Sequence, residues 1–251
     1  MKKITILLIF LSFSLFAREK GQTEITTDEG IEVFQKEKYY LLKKNVIIES
    51  DDFILSADLV KAFFEEDLYD IIKIESEGKV KFSSSKNFRA VGEKLNFSIK
   101  DNLINIYGNN SLIEMNNLTM KSDKYIMIDD INSKFKLEGS ISELITDNLK
   151  IIGSDIKGSY KQVNGENEII TLNVKSDKLT EITTDKLQMF SAEAIFSKEK
   201  NIIELFNNVK VIRNNEIIIG DYAKINTLDE SYKVSSKESK KVKVLIDSTN
   251  E

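Results

Sequence analysis

The chain has 251 residues, of which 41% are hydrophobic and 31% charged, and this profile predicts a globular protein with a sizeable core. Its net charge of −5 comes from interspersed Lys, Asp and Glu, so the sequence lacks the basic stretch typical of nucleic-acid binding and has no polybasic membrane patch. There is no His and no Cys, which excludes Ser-His-Asp and Cys-His nucleophiles, thiolate chemistry and zinc sites built from nitrogen and sulfur ligands.

Residues 1–17 have the three parts of a secretory signal peptide. Lys2 and Lys3 precede an apolar run from Ile4 to Phe16, and Ala17 follows before charged residues. The run is shorter than the about 20 apolar residues that a membrane-spanning helix needs. We therefore expect export to the periplasm with cleavage after residue 17. A retained membrane anchor is the alternative, because the residue at the −3 position is Leu.

The rest of the chain shows period-two alternation in short segments rich in Ile, Val, Phe and Tyr. Examples in chain order are KVKF at 79–82, LINIYGNN at 103–110 and KFKLEG at 134–139. Asn, Asp, Ser, Gly and Lys separate these segments, which predicts β-strands joined by tight turns. At the spacing usual in all-β folds the chain has room for roughly 20 strands.

Two long internal matches indicate that the repeating unit is a hairpin. NVIIESDDFILSAD at 45–58 matches NVKVIRNNEIIIGD at 208–221. NFSIKDNLINIYGNN at 96–110 matches IFSKEKNIIELFNNV at 195–209. Hairpins of this kind predict an elongated β architecture, because stacked neighbours bury a continuous apolar stripe.

A shorter signature also recurs, consisting of a small residue, an acid, and an apolar residue two positions after the acid. We expect the small residue to let a strand bend or bulge, and the acid to face water at the lip of the sheet. Ser76-Glu77 and Ser154-Asp155 do not fit the signature. The pairs that fit are Ala57-Asp58, Gly92-Glu93, Ser122-Asp123, Thr146-Asp147, Thr184-Asp185 and Gly220-Asp221.

The segments EGIEVFQKEKYYLLKKNVIIESDDFILSADLVKAFF at 29–64 and NNVKVIRNNEIIIGDYAKIN at 207–226 resemble the OstA-type repeat of the LptA family of periplasmic lipopolysaccharide-transport proteins. The resemblance covers 25–234, with a diverged middle at 109–173. Lys44 and Asn207 stand where the family often has Gly before Asn-Val. The resemblance implies an all-β fold, an elongated open β-jelly-roll of two facing antiparallel sheets. Its repeats would span 25–145 and 146–234. A polar tail follows at 235–251, and the alternation of Val242, Val244 and Ile246 in this tail allows it to form a last edge strand.

The same resemblance implies a non-enzymatic carrier, without a cofactor or metal, that shields lipopolysaccharide acyl chains in an apolar groove between the inner and outer membranes of a Gram-negative cell. It implies an LptC-like inner-membrane partner, an LptD-like outer-membrane partner and head-to-tail stacking of copies. The expected edges are Ile31–Phe34 and 217–225. Two alternatives stay open, namely a membrane-anchored LptC-like component and a structural or adhesive exported β-repeat protein.

Some of the inward apolar residues are expected to line the groove, although by periodicity alone they could equally be ordinary core. The groove candidates are Val60, Phe64, Phe82, Leu95, Phe97, Ile104, Ile106, Phe196, Leu205, Ala223 and Ile225. An exported polysaccharide enzyme would need converging carboxylates, and no acid cluster recurs. The adjacent acids Asp129 and Asp130 are expected in a turn, since neighbouring strand residues point to opposite faces.

Overall fold

Residues 20–66, 70–237 and 240–246 are described by a computed structural model, and the expected signal peptide at 1–17 lies outside them. Within these ranges the regular structure is entirely β, which confirms the predicted fold class. The strands are β1 Glu24–Thr26, β2 Ile31–Phe34, β3 Tyr39–Glu49, β4 Phe53–Phe64, β5 Ile71–Ser84, β6 Phe88–Ser98, β7 Leu103–Tyr107, β8 Ser111–Met115, β9 Leu118–Ser122, β10 Tyr125–Asp129, β11 Lys134–Ile145, β12 Lys150–Val163, β13 Glu166–Thr183, β14 Gln188–Ser197, β15 Ile202–Arg213, β16 Glu216–Asn226, β17 Tyr232–Ser235 and β18 Lys243–Ile246.

The strands form an antiparallel meander in which each long strand contributes to two layers. One half of β3 pairs with β1 and the other half with β2. In the same way β6 pairs with β8 and β7, β11 with β9 and β10, and β16 with β18 and β17. We call the layer that contains β1, β8, β9 and β18 layer 1, and the layer that contains β2, β7, β10 and β17 layer 2.

The long strands bend between the layers at register shifts near their midpoints. In β3 the shift lies between Lys43 and Val46, and the two residues inside it, Lys44 and Asn45, have φ of 68° and 49°. In β15 the equivalent Asn207 has φ of 61°. Lys44 and Asn207 thus take the left-handed conformation that Gly adopts most easily, at a cost of about 1–2 kcal/mol per residue. The strands therefore bend at both of these positions, although Lys and Asn stand where the family often has Gly.

Acids of the small-acid signature cap these bends from the neighbouring strand. A Cβ atom at Gly78, in the bend of β5, would lie 2.5 Å from Asp58 Oδ2 in β4. The carboxylate of Asp123 accepts a hydrogen bond of 3.3 Å from the backbone N–H of Ile141, and that of Asp221 accepts one of 3.1 Å from Lys237. These three acids therefore lie at the bends rather than at the lips where we expected them, because backbone N–H groups beside the bends lie outside the regular strand pairing and need another acceptor.

The signature does not mark every bend. Thr146-Asp147 and Thr184-Asp185 lie in hairpin turns, where Thr184 Oγ1 accepts a hydrogen bond of 3.1 Å from Leu187 N. Conversely, Asp155 borders a register shift in β12 although its pair does not fit the signature. A small residue before an acid therefore indicates a break in strand geometry, which can be either a bend or a turn.

The two layers face each other across a shared apolar core. Phe82 in layer 1 and Phe97 in layer 2 meet edge to face with their ring centroids 5.5 Å apart. Alternate residues along every long strand are buried, as the period of two predicts, and fully buried examples are Leu95, Ile106 and Leu205. The molecule is thus an open β-jelly-roll whose strands stack along one long axis.

Four short strands form the ends of the stack. In the described residues β1 and β2 each pair only with β3, and β17 and β18 each pair only with β16. The C-terminal edge expected at 217–225 is therefore wrong, because Ile217 pairs with Leu245 and Ile225 pairs with Tyr232. The alternating tail returns along β16 and becomes the edge itself.

Candidate ligand groove

The hairpin turns of the two layers form two opposing lips, and turn residues of both lips line the space between the layers. Two cavities of about 500 Å³ and 510 Å³ lie between the layers, each lined by residues of both layers. This is the size range of small-molecule sites, which are mostly apolar with a few placed polar groups. We call the first the aromatic cavity and the second the aliphatic cavity, after their linings.

The aromatic cavity is walled by a cluster of phenylalanines. Phe82 stands at its centre, with ring centroids 5.4 Å from Phe53, 5.5 Å from Phe97 and 5.9 Å from Phe88. The contact with Phe53 is stacked and the other two are edge to face, which are the arrangements that aromatic quadrupoles favour. Other apolar lining residues are Ile104, Met115 and Ile128.

Polar groups at the rim of the aromatic cavity bind one another. Tyr160 donates its hydroxyl hydrogen to Asp130 Oδ1 at 2.9 Å, and Asn102 Nδ2 donates to Asp130 Oδ2 at 2.6 Å. Burial, followed by the hydrogen bond to Asp130, raises the pKa of the Tyr160 phenol above its ordinary value. The rim is thus a paired polar network above an apolar wall, which suits a ligand with an apolar body and a polar head.

The aliphatic cavity lies further along the stack and has a different wall. Its apolar lining includes Leu149, Ile151, Leu172, Val174 and Ile182 together with one aromatic ring, Phe196. Its rim is polar, and there Lys198 Nζ forms an ion pair of 2.7 Å with Glu168. Both cavities therefore combine an apolar interior with a polar rim, although the side chains that provide each part differ.

The predicted groove residues separate into two groups. Phe82, Phe97 and Ile104 line the aromatic cavity, and Phe196 lines the aliphatic cavity. The remaining candidates are buried in the core outside both linings; they are Val60, Phe64, Leu95, Ile106, Leu205, Ala223 and Ile225. These seven share the inward face with the lining residues, so their role in ligand contact stays a prediction.

Several lining residues escaped the sequence analysis because they lie close to the turns. Phe53 and Phe88 each follow a hairpin turn, and Leu149 precedes the first residue of β12. The sequence does contain a pattern that identifies them, since each is apolar and lies an even number of positions from the nearest inward residue of its strand. Residues next to a turn lie nearest the lips, and this is where a groove between two open layers is accessible.

The adjacent acids near this region have structural partners. Asp129 Oδ1 accepts a hydrogen bond of 3.0 Å from Asn132 N in the turn after β10, and hydrogen bonds from Asn132 hold the pKa of Asp129 below its usual value. Among the described residues, no group of three or more acidic side chains is placed to hold a metal ion. In the same ranges no helix is long and apolar enough to span a membrane.

Comparison with known proteins gives matches among solved structures alone. No family model matches the chain, and no curated protein matches it. Among solved structures, the chain is similar to the crystal structure of LptH, described as the LptA homologous periplasmic component of the conserved lipopolysaccharide transport device from Pseudomonas aeruginosa. The match has 12% identity and a TM-score of 0.43, and it covers 53% of this chain and 96% of that chain.

Proposed function

We propose that this protein is a non-catalytic periplasmic carrier that binds lipopolysaccharide and moves it between the inner and outer membranes for outer-membrane assembly. The observation that carries the proposal is the groove, in which apolar cavities lie between two layers under open, polar lips. The resemblance of 29–64 and 207–226 to the OstA-type repeat supports the same ligand class.

The groove suits an amphiphile for energetic reasons. Removing acyl chains from water stabilises a complex by about 0.8 kcal/mol per methylene group, and an apolar space between sheets can provide that burial. The open lips let the polar head stay in water while the chains lie inside, as amphipathic side chains do at surfaces. The chemistry is binding alone, so no metal or cofactor takes part.

Photo-crosslinking tests this assignment. A benzoylphenylalanine at Phe97 or Phe196 should form adducts with lipopolysaccharide, because these rings line the aromatic and aliphatic cavities respectively. The same group at Lys100 or Glu204, which lie outside both linings, should give no adduct. Adducts of equal yield from the control positions would overturn the groove as the binding site.

The ends of the stack support partners that extend it by strand pairing. In β2 the side chains of Ile31 and Val33 are 49% and 46% exposed, and in β18 those of Val244 and Ile246 are 48% and 73% exposed. An exposed apolar edge strand is a template for another strand. We propose that β2 pairs with an LptC-like inner-membrane protein, and that the C-terminal edge pairs with another copy or an LptD-like protein.

Such head-to-tail contacts do not close, so they produce stacks of increasing length. Light scattering of the full-length protein should therefore show a mass that rises with concentration. A chain without residues 236–251, which lacks β18, should show a weaker rise, because part of its C-terminal edge is lost. A full-length protein that stays monomeric at high concentration would contradict the stacking.

A further inference from the structure

One hairpin of layer 2 extends past its neighbours. The pairing of β12 with β11 ends at Ser159, and the pairing of β13 with β14 ends at Thr171. Between these points β12 and β13 continue to pair with each other as far as Val163 and Glu166. We call residues 160–169 the strap.

The sequence of the strap explains its bent shape. A register shift next to Tyr160 leaves Ile170 as an extra residue, and such a bulge bends a strand pair away from its sheet. Asn164 and Gly165 form the turn with φ of 53° and 86°, which is the left-handed pair that a two-residue hairpin requires. The hydrogen bond from Tyr160 to Asp130 fixes the base of the strap to the rim of its own layer.

The strap crosses the groove and binds the opposite lip. Asn167 N donates a hydrogen bond of 2.8 Å to Oδ1 of Asn117, which belongs to the β8–β9 turn in layer 1. Asn117 Nδ2 donates in return to the Asn167 carbonyl at 3.3 Å, and Asn167 Nδ2 donates to the Met115 carbonyl at 3.2 Å. Asn167 is only 5% exposed, so it is a buried polar residue whose side-chain and backbone amides both have partners in the other layer.

This contact lies between the two cavities. Asn167 belongs to the linings of both, whereas Asn117 lines the aliphatic cavity and Met115 lines the aromatic cavity. An acyl chain inside the groove keeps its polar head outside the lips, because burying the head without partners would be unfavourable. A closed strap across the lips therefore blocks the path of the head even if the chains could slide beneath it.

We propose that the strap divides the groove into two acyl-chain sites and that the Asn117–Asn167 contact is a gate that opens when a bound amphiphile passes from one site to the other. This inference rests on the proposed carrier function. Its opening is physically accessible, because the strap lies outside the strand pairing with β11 and β14, and its hydrogen bonds to the opposite lip join neutral amide groups that water can replace. Local opening of this kind limits the rate of ligand movement in many proteins.

The chain has no Cys, so the gate can be closed with a reversible covalent link. Asn117→Cys and Asn167→Cys are combined and joined by a short bis-methanethiosulfonate linker. The matched control combines Ser159→Cys with Thr171→Cys, which are opposite each other at the base of the strap, lie outside both linings and do not span the lips. Each protein also carries benzoylphenylalanine at Phe97 or at Phe196, and lipopolysaccharide is supplied from a loaded donor copy.

In the linked 117/167 protein, we expect one cavity to be labelled at the normal rate and the other to be labelled at least about tenfold more slowly. A reducing agent should restore labelling of the slow cavity, and the 159/171 link should slow labelling of neither cavity. Normal labelling of both cavities in the linked protein would overturn the gate while leaving the carrier function intact. Slow labelling of both cavities would mean that the strap controls entry of lipopolysaccharide into the groove rather than its movement between the cavities, and this would also overturn the gate. Absence of labelling even without a linker would overturn the carrier function and the gate together.

Discussion

The aromatic and aliphatic cavities have nearly the same volume and are built from the same kind of bent hairpin, but their walls differ. In the aromatic cavity Phe82 contacts three other rings, and these contacts fix the wall. In the aliphatic cavity the single ring, Phe196, is partly buried among Leu, Ile and Val side chains. The difference shows that the hairpin repeat determines where a cavity can form, while the inward residues of each copy determine which side chains form its wall.

The largest effect should come from removing the centre of the aromatic wall. Phe82 is 4% exposed, and Phe82→Ala should lower the free energy of unfolding by about 3–5 kcal/mol, because it leaves a cavity that the surrounding rings cannot fill. Phe196→Ala should cost only about 1–2 kcal/mol, because that ring is partly exposed already. Urea denaturation measures both. Equal losses would show that the exposed fraction of these two rings does not determine how much each contributes to stability.

The next largest loss of stability should come from weakening the strap contact that lies between the two cavities. Asn167→Ala removes one hydrogen bond to Met115 and weakens the strap contact, which should cost about 1–3 kcal/mol. The exposed Gln162, directly opposite Asn167 in the hairpin, is the matched control, and Gln162→Ala should stay within about 0.5 kcal/mol of the wild type. A double-mutant cycle with Asn117→Ala should show a coupling energy. Additive effects would mean that the two asparagines do not depend on each other.

Alkaline pH should weaken the rim of the aromatic cavity in particular. The pKa of Tyr160 is raised in the folded state, so its contribution to stability is complete below the unfolded value of about 10 and is lost as pH rises through the folded value. Above pH 10 the free energy of unfolding of the wild type should therefore fall more steeply than that of Tyr160→Phe. Denaturation from pH 8 to 11 compares them. Parallel curves would contradict the assigned role of the Tyr160 hydroxyl.

The smallest effect is expected at the far side of the aliphatic cavity, where an ion pair joins the lips. Lys186 Nζ lies 3.0 Å from Glu230 Oε2, and the two side chains are 62% and 31% exposed. Exposed pairs of this kind contribute about 0.2–1 kcal/mol and are screened by salt. Lys186→Met should therefore lower stability slightly at low ionic strength and not at all in 1 M salt. A loss that persists in high salt would indicate packing rather than charge.

The sequence predicted an all-β fold from local evidence, whereas the open β-jelly-roll was implied by the resemblance to the OstA-type repeat. Alternation places side chains on opposite faces wherever a strand forms, and left-handed turn residues such as Asn164-Gly165 end strands by their own geometry. The C-terminal edge was wrong for a non-local reason. Whether 217–225 is an edge depends on which strand the C-terminal tail pairs with. The alternation in the tail shows which of its side chains share a face, but it does not show which strand lies beside it.

The groove candidates show the same difference between what local sequence patterns predict and what depends on non-local contacts. Phe82 and Leu95 are both inward and almost fully buried, yet one lines a cavity and the other lies outside both linings. The period of two therefore determines which face a residue occupies but not how close it lies to the open lips. Distance from the turns carries part of that information, because residues near a turn lie near a lip.

By itself the sequence determined the strands, the hairpin repeat and the positions where strands break, since each depends on neighbouring residues and on the backbone conformations they can adopt. Only the tertiary structure decided which inward side chains line a cavity and which turns meet across the groove. Asn117 and Asn167 are separated by 50 residues and lie in different layers, and no local pattern relates them. They meet because the sheet bends into two layers and one hairpin outgrows its neighbours, which is a property of the whole stack of strands.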